Sequence, residues 1–543
     1  MCVLFIKVKH HFSCFRKPYF FLLLYLVSLG FNYNKPFHND DTFHLESAKL
    51  IEENPLKPMS GEINWNETHR LFNSNHPPGY YYLLSFVGSW FGYDEWVLHL
   101  FQSLFSFLVI VFFFKIAQRV VLGYEYISTA FLVLNPAFIP NQNLSIDIPI
   151  LAMHLGLFYF LLKDSSCIFK RVFIMGILLS VSILMKYTSI ALIPVFVILG
   201  VGNRKFWLVL VLPFITLLFW SIWNINEFGF VHIFSREVHS LSFYVVVYQM
   251  AAFVLVLGSL GPLSLLFFSQ KGTFSFYIKA VIIASGLLLV GIVIGQMGGF
   301  LSVSSSTWLL WGVFMANGLM VVGMLIYNVA LKKKLILILN NRTEFILWLW
   351  LLALASFVIL FSPFMATRHV LLALPPVLLL LVYYLKEISF RIQLITLSFL
   401  SILTVMLSVS DWKFADFFRQ EARVISDKYL HESNVYFTGQ MGWQWYAKKM
   451  GMKKYNAGND TIFCGDLFVI PSKVSAEQLP DIKNFIRVEE RVEKTNWLKM
   501  ISTSGYYRSN ARVLPWNIDL QNSDSIKIYR CTDVVFPIVS LNN

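Results

Sequence analysis

The chain contains about thirteen apolar runs, each roughly 15 to 25 residues long, separated by polar segments. They begin near residues 18, 95, 127, 148, 171, 188, 205, 243, 277, 307, 345, 370 and 392. A helix of such length crosses the hydrocarbon core of a bilayer, and a hydrophobic fraction of 57% exceeds that of soluble domains. We therefore predict a mainly α protein, a polytopic membrane helical bundle of about thirteen transmembrane helices.

The distribution of Lys and Arg predicts the orientation of this bundle. With the basic N-terminus in the cytoplasm, the loop after every second run should be cytoplasmic and positively charged. All six of these loops contain basic residues, namely Lys115 and Arg119; Lys163, Lys170 and Arg171; Arg204 and Lys205; Lys271; Lys332, Lys333 and Lys334; Lys386 and Arg391. This pattern explains the net charge of +13 without a nucleic-acid partner, which we do not expect.

Two polar regions lie on the opposite, extracytoplasmic side of the predicted membrane. The first is an external loop, residues 31–94, between the first two runs. The second is the tail, in which strand-like runs at 435–437 and 467–470 alternate with helical patterns. The sequence therefore predicts a transmembrane domain over residues 1–410 and a small extracytoplasmic α/β domain over residues 411–543.

Two adjacent acids, Asp40 and Asp41, stand near the start of the external loop, where uncompensated charge close to the bilayer is unfavourable. A carboxylate at the water-facing edge of a membrane cavity can accept a proton from an incoming hydroxyl as a general base. Capping of a short amphipathic helix by Asn39 or Asp40 explains the same residues without chemistry. We favour a catalytic role, with which helix capping is compatible.

Two cations, Lys186 and Arg368, also fall on the external side. Lys186 interrupts a long apolar stretch at its outer turn, and Arg368 stands at the start of the twelfth run. Both residue types bind phosphate, and Arg does so with two parallel hydrogen bonds. A single basic residue at a helix end can equally extend to the lipid headgroups. Taken together, the two residues predict a site for an anionic ligand.

Three further residues are candidates with weaker signals. Asp147 lies at the outer end of the fourth run, where it could simply cap a helix that contains Pro149. His76, beside two prolines and three tyrosines, and His239, in another external loop, could ligate a divalent metal ion. Two histidines are fewer ligands than a metal site normally has, and the aromatic segment after His76 is equally typical of a membrane interface.

Several of these motifs resemble those of GT-C glycosyltransferases, which use lipid-phosphate sugars. Residues 39–46 (Asn-Asp-Asp-Thr-Phe-His-Leu-Glu) and 76–81 (His-Pro-Pro-Gly-Tyr-Tyr) resemble the acidic motif and the juxtamembrane helix of the first external loop. Within the superfamily, the chain is most similar to family 39, which contains protein O-mannosyltransferases and the bacterial lipid A aminoarabinose transferase. Further matches follow in the family's order at Asp147, at Met185-Lys186, at residues 368–375 and, as in bacterial relatives, at residues 435–446.

The resemblance implies transfer of a sugar from a polyprenyl-phosphate donor to an acceptor hydroxyl, with inversion, on the extracytoplasmic side. It implies that Asp40 is the catalytic base supported by Asp41, that Lys186 and Arg368 bind the donor phosphate, and that Asp147 orients the acceptor or the loop. Some relatives hold a divalent metal ion beside this loop and others work without one, so the metal remains open. The acceptor is a protein, a lipid or a glycan.

Other functions fit parts of the sequence. A transporter or flippase of a lipid-linked sugar would carry mid-span charges and a repeat between its halves, whereas these charges crowd at one membrane face and no repeat is visible. A glycan ligase or polymerase with a lipid-diphosphate donor is chemically close to the favoured reaction. An inactive scaffold is disfavoured because the acids, Lys186 and Arg368 occur together. We expect an integral protein of a bacterial or archaeal plasma membrane, surrounded by membrane lipids.

Overall fold

The computed structural model describes residues 17–65, 67–163, 167–235, 242–270, 273–330, 341–385, 387–472, 474, 479–493, 500, 506–519 and 524–537. These parts of the chain are mainly helical, as predicted. The helices are α1 Lys17–Gly30, α2 Asp41–Glu53, α3 Gly79–Phe91, α4 Glu95–Val120, α5 Glu125–Val133, α6 Asp147–Leu162, α7 Ile168–Met185, α8 Ile193–Gly202, α9 Val211–Phe228, α10 Phe243–Ser259, α11 Thr273–Met297, α12 Val303–Ala330, α13 Arg342–Phe361, α14 Thr367–Leu385, α15 Phe390–Tyr429 and α16 Met441–Lys449.

Each of the thirteen apolar runs contains a helix, but the helices differ in length. Eight of those described are long and apolar enough to cross a membrane, and a ninth span results if α10 and the short helix Leu263–Ser269 count as one bent span. Three shorter apolar helices are α1, α6 and the segment Tyr187–Gly202. These helices are those of an integral membrane protein, while the number thirteen stays a prediction.

The segment between α5 and α6 brings irregular backbone deep into the bundle. Because α5 ends after nine residues, the chain continues as residues 134–146 without regular structure. Ala137 and Asn141 of this segment are buried within the protein, which shields the irregular backbone from lipid. The Asn135 side chain fixes the turn, since its Oδ1 accepts from the Ala137 N–H and its Nδ2 donates to the Leu260 carbonyl. The segment leads directly to Asp147, the first residue of α6.

The first external loop contains α2, a hairpin and α3. The hairpin pairs β1 (Glu62–Trp65) antiparallel with β2 (Glu67–Arg70). Asn39, at φ 53°, adopts the left-handed conformation that Asn tolerates, and Asp40 follows as the N-cap residue of α2 without a side-chain capping bond. A Cβ on Gly79 would lie 2.6 Å from the Leu184 carbonyl oxygen. The start of α3 therefore packs directly on the end of α7.

The tail forms a mixed sheet with one packed helix, which confirms the predicted α/β class. Its strands are β3 Val435–Phe437, β4 Lys453–Lys454, β5 Leu467–Pro471, β6 Phe485–Val492 and β7 Ser525–Cys531, in the order β4-β3-β5-β7-β6. Strand β3 is parallel to β4 and β5, whereas β7 is antiparallel to β5 and β6. Because α15 is continuous through residue 410, the predicted domain boundary falls within a helix, and the division into domains stays a prediction.

Helix α16 packs against the external loop. The Phe37 N–H donates to the Tyr446 hydroxyl at 2.8 Å, and the Thr42 hydroxyl donates to the Met441 carbonyl at 2.5 Å. The two backbones approach so closely that a Cβ on Gly442 would lie 2.0 Å from the Phe37 carbonyl oxygen. The tail and the external loop therefore lie on the same side of the helical bundle.

Candidate active site

One region at this side of the bundle contains most of the candidate residues. A cavity of about 350 Å³ is lined by Asp40, His76, Lys186 and Arg368. A smaller pocket beside it shares these four residues and adds Asp41 and Asp147. Six of the seven candidates are thus brought together, whereas His239 lies outside the described residues. Their roles stay predictions.

The acids and cations of the cavity form one ion network. Lys186 Nζ lies 2.7 Å from Asp147 Oδ1, and the Arg368 guanidinium bridges two acids, with Nη2 3.0 Å from Asp40 Oδ2 and Nε 3.7 Å from Asp147 Oδ2. The Asp147 side chain is only 3% exposed, whereas that of Asp40 is 47% exposed. Asp40 is therefore the acid of this network that a molecule in the cavity can reach.

These charges occupy the ends of helices rather than their middles. Asp147 is the first residue of α6, Lys186 directly follows α7, and Arg368 is the second residue of α14. A carboxylate at a helix N-terminus interacts favourably with the helix dipole and the unpaired N–H groups. Since the three helix ends meet at one edge of the bundle, residues distant in sequence reach a common cavity.

Asp41 has a different environment from Asp40. Its carboxylate is buried and accepts hydrogen bonds from two backbone N–H groups, that of His38 at 3.0 Å and that of Leu144 at 2.9 Å. Burial raises the pKa of Asp41 to about 6. Asp41 thus connects the start of α2 to the segment 134–146 through the hydrogen bond from Leu144, whereas its neighbour Asp40 lines the cavity.

Histidines near the cavity are the candidate metal ligands. His44 lines the cavity, but its Nδ1 donates to the Leu144 carbonyl at 2.8 Å, and burial lowers the pKa of His44 to about 4. Within the described parts of the chain, no group of three or more His, Cys, Asp or Glu side chains could hold a metal ion. The acids beside His76 are already paired with Lys186 and Arg368. A divalent ion held by His76 and His239 therefore stays a prediction.

The remaining walls of the cavity differ in polarity. Phe357 and Phe361, at the end of α13, and Phe364 form an aromatic wall next to Arg368. Trp65 and Arg70 of the hairpin line another part of the cavity. The charged groups therefore lie between an apolar surface contributed by a membrane helix and a polar surface contributed by the external loop.

A second, wholly buried network lies behind Asp41 and was missed from the sequence. Lys35 Nζ lies 2.5 Å from Asp411 Oδ2, and Asp411 also contacts His38 Nε2, at 3.1 Å, and the Tyr507 hydroxyl, at 2.7 Å. Lys35 further donates to Asn143 Oδ1 at 2.6 Å. The only sequence signal was an Asp directly after the apolar residues of α15, which resembles an ordinary end of a membrane span.

The fold and this site define a polytopic membrane protein with an acid-and-cation centre at one edge of its helical bundle. Residues 75–223 match the family model described as dolichyl-phosphate-mannose-protein mannosyltransferase. This segment contains His76, Asp147 and Lys186. The resemblance to this branch of the GT-C glycosyltransferases, predicted from the motifs, is thereby confirmed for that segment.

Solved structures of glycosyltransferases are also similar to the chain. ArnT from Cupriavidus metallidurans bound to undecaprenyl phosphate is 15% identical, with 83% of this chain and 92% of that chain covered and a TM-score of 0.36. The Archaeoglobus fulgidus oligosaccharyltransferase, tethered with an acceptor peptide, is 12% identical, with coverages of 80% and 63% and a TM-score of 0.45. No similarity of activity follows from such low values. No curated protein matches the sequence.

Proposed function

We propose that the protein is a membrane glycosyltransferase that moves a sugar from a polyprenyl-phosphate donor to an acceptor hydroxyl. The observation that carries this proposal is the composition of one cavity. It combines an accessible carboxylate, Asp40, with two cations, Lys186 and Arg368, and with an aromatic wall on a membrane helix. A lipid phosphate needs both a cationic and an apolar surface, and an acceptor hydroxyl needs a base.

In the proposed reaction, the acceptor oxygen attacks the anomeric carbon of the donor sugar from the side opposite the phosphate. The new oxygen–carbon bond forms as the bond from the anomeric carbon to the phosphate oxygen breaks, so that the configuration inverts. The hydroxyl proton passes to the Asp40 carboxylate. The polyprenyl phosphate leaves with the electron pair of the broken bond.

Lys186 and Arg368 would stabilise the negative charge that grows on the departing phosphate. Cations held in place before the reaction stabilise such charge more effectively than groups that must first reorient. Asp147 keeps both cations in position, because it contacts Lys186 at 2.7 Å and Arg368 at 3.7 Å. Its proposed role is therefore to orient the phosphate-binding groups as well as the loop.

The sidedness of the reaction follows from the charge pattern of the sequence. The basic loops assign the opposite face of the bundle to the extracytoplasmic side, and the cavity, the external loop and the tail share one face. We therefore place the active site and the tail outside the plasma membrane of a bacterium or an archaeon. The acceptor there is a protein, a lipid or a glycan.

The role of Asp40 is tested by its replacement in the intact protein. A strain without the gene is complemented with wild type, Asp40→Asn or Asp427→Asn, and its glycans are compared by mass analysis. Asp427 is an exposed acid that lies 3.8 Å from Arg423 and does not line the cavity, so it is a matched control. We expect Asp40→Asn to insert normally and to restore no glycan. Full restoration by Asp40→Asn would refute its role as the base.

The donor class and the metal need separate measurements. Undecaprenyl phosphate and undecaprenyl diphosphate are compared as competitors of transfer in membranes; stronger competition by the diphosphate would favour the ligase or polymerase alternative.

A requirement for a divalent metal ion stays a prediction, since His239 lies outside the described residues. Transfer after chelation, with and without added Mg²⁺ or Zn²⁺, decides it.

A further inference from the structure

A short segment of the tail, residues 506–509, contacts both halves of the proposed active site. We name this segment the brace. One half of the site is the turn that carries Asp40, and the other half is the start of α14, which carries Arg368. Tyr506 and Tyr507 are both buried between these halves.

The contact with the acid half is made by the Tyr507 hydroxyl. It donates to Asp411 Oδ2 at 2.7 Å, accepts from Asn143 Nδ2 at 3.0 Å and lies 3.0 Å from His38 Nε2. A hydroxyl has one donor and two acceptor sites; here the donor site is used by Asp411, one acceptor site by Asn143, and the other faces His38 Nε2, which also lies 3.1 Å from Asp411 Oδ1. The backbone N–H of His38 donates to the Asp41 carboxylate at 3.0 Å. Tyr507 is therefore connected to the turn that carries Asp40 through the His38 side chain and then through the hydrogen bond between the His38 backbone and Asp41.

The contact with the cation half uses mainly backbone groups. Met365 and Ser509 exchange two hydrogen bonds, at 3.0 and 2.6 Å, in an isolated antiparallel bridge. The Thr367 hydroxyl lies 3.3 Å from the Tyr506 carbonyl oxygen and donates to it. Arg368 follows immediately in the sequence. The position of the Arg368 backbone is therefore tied to the brace.

The buried charges near the brace restrict how the surrounding segments can be arranged. Lys35 and Asp411 are almost fully buried, and a buried ion pair is tolerated only when its remaining hydrogen-bonding groups are satisfied. Lys35 meets this condition with Asp411, Asn143 and the Pro140 carbonyl, and Asp411 with Lys35, His38 and Tyr507. The partners come from four segments of the chain, so the network holds these segments in one arrangement.

We propose that Tyr507 is a positioning residue and that the brace sets the placement of Asp40 relative to Arg368. The inference rests on the proposed function, in which these two side chains act on one donor sugar phosphate. The tail is then part of the catalytic unit, because it supplies the element that holds base and phosphate site together. A displacement of about 1 Å of reacting groups lowers rates up to roughly a hundredfold.

The test is hydrogen exchange of the full-length protein in detergent, measured by mass spectrometry. Tyr507→Phe removes one hydroxyl, and Tyr436→Phe, on a strand of the tail sheet, is the matched control. We expect Tyr507→Phe to speed exchange roughly tenfold in peptides covering 36–43 and 365–370, and Tyr436→Phe to change neither. Faster exchange only around residue 507 would overturn the proposal, since it would mean a purely local contact.

A second variant approaches the brace from its other end, in case Tyr507→Phe does not fold. Thr367→Val removes the hydroxyl that donates to the Tyr506 carbonyl and accepts from Asn141 Nδ2, and Thr367→Ser restores both contacts. We expect faster exchange at residues 36–43 in Thr367→Val and near wild-type exchange in Thr367→Ser. A response confined to residues 365–370 would contradict the brace.

Glycan restoration by the same variants separates this proposal from the proposed function. If Asp40→Asn fails to restore glycan, Tyr507→Phe should restore roughly a tenth or less at equal protein level. Full restoration of glycan by Tyr507→Phe would then overturn the positioning role of Tyr507 and leave the proposed function intact. If Asp40→Asn restores glycan, the proposed function fails, and the exchange data still decide whether the brace connects the two halves.

Discussion

The Arg368 guanidinium contacts the Asp40 carboxylate directly, with Nη2 3.0 Å from Oδ2. The proposed base is therefore paired with one of the two proposed phosphate ligands before a donor arrives. A lipid phosphate would compete with Asp40 for this guanidinium, because Arg binds phosphate with two parallel hydrogen bonds. We accordingly expect donor binding to precede proton transfer, with Asp40 released for the acceptor once phosphate occupies Arg368.

The first prediction concerns the shape of the Arg368 side chain. Arg368→Lys keeps the positive charge but cannot contact Asp40 and Asp147 through separate nitrogens of a rigid plane. We expect glycan transfer to fall by roughly ten- to a hundredfold, and Arg368→Gln to reduce it further. Initial rates in membranes measure this effect. Arg423→Lys, in an exposed ion pair, is the control; wild-type rates in Arg368→Lys would show that charge alone suffices.

The second prediction separates stability from transfer at Lys186. Lys186→Met leaves Asp147 buried with the 3.7 Å contact to Arg368 and a hydrogen bond from the Ser145 hydroxyl at 3.2 Å. Removal of one member of a buried ion pair costs about 3–5 kcal/mol. Adding Asp147→Asn removes the uncompensated charge, so we expect the double variant to recover most of the thermal stability and none of the transfer. Thermal unfolding in detergent measures the first effect. Recovery of transfer in the double variant would argue against phosphate binding by Lys186.

The third prediction contrasts the two adjacent acids. Asp41→Asn loses one of two hydrogen bonds accepted from the backbone, those of His38 and Leu144, and should lower the free energy of unfolding by about 1–3 kcal/mol. Asp40→Asn removes a half-exposed carboxylate and leaves Arg368 its contact with Asp147, so we expect a smaller loss of stability than in Asp41→Asn, together with loss of transfer. Unfolding curves and glycan analysis of both variants test this pair. The reverse pattern would exchange the roles of the two acids.

The fourth prediction is a pH dependence of stability that arises from His44. Burial lowers its pKa from 6.5 to about 4, so the unfolded chain binds this proton more readily between these two pH values. The contribution of neutral His44 is fully present above pH 6.5 and is lost as pH falls towards 4, by an amount on the order of 3 kcal/mol. The difference in melting temperature between wild type and His44→Gln should therefore change over this window. A difference in melting temperature that stays constant between pH 6.5 and pH 4 would contradict the lowered pKa of His44.

The fifth prediction concerns the contact between tail and loop. In a helix, Gly→Ala normally stabilises by about 1 kcal/mol, but a Cβ at position 442 would clash with the Phe37 carbonyl oxygen at 2.0 Å. We therefore expect Gly442→Ala to lower the melting temperature and to reduce transfer. Gly458→Ala, whose Cβ would meet Asn456 Oδ1 at an ordinary 3.6 Å, is the control. A stabilised Gly442→Ala would disprove the close approach.

The sequence predicted the helical bundle and the α/β tail, because hydrophobic length and strand-like runs are local signals. It also named Asp40, Asp147, Lys186 and Arg368, which the structure brings to one cavity. The network of Lys35, Asp411 and Tyr507 was missed, since no spacing rule connects residues so far apart in the chain. Burial of a charge becomes visible only when the packing of distant segments is known.

The close fit of Gly442 on the Phe37 carbonyl also has a consequence for biosynthesis. The external loop precedes Gly442 by several hundred residues and is therefore synthesised before it, yet the two pack backbone against backbone. The loop can therefore complete this contact only after the segment that contains Gly442 has been made. A chain that stops before Gly442 would therefore lack the contact that holds the external loop against the tail.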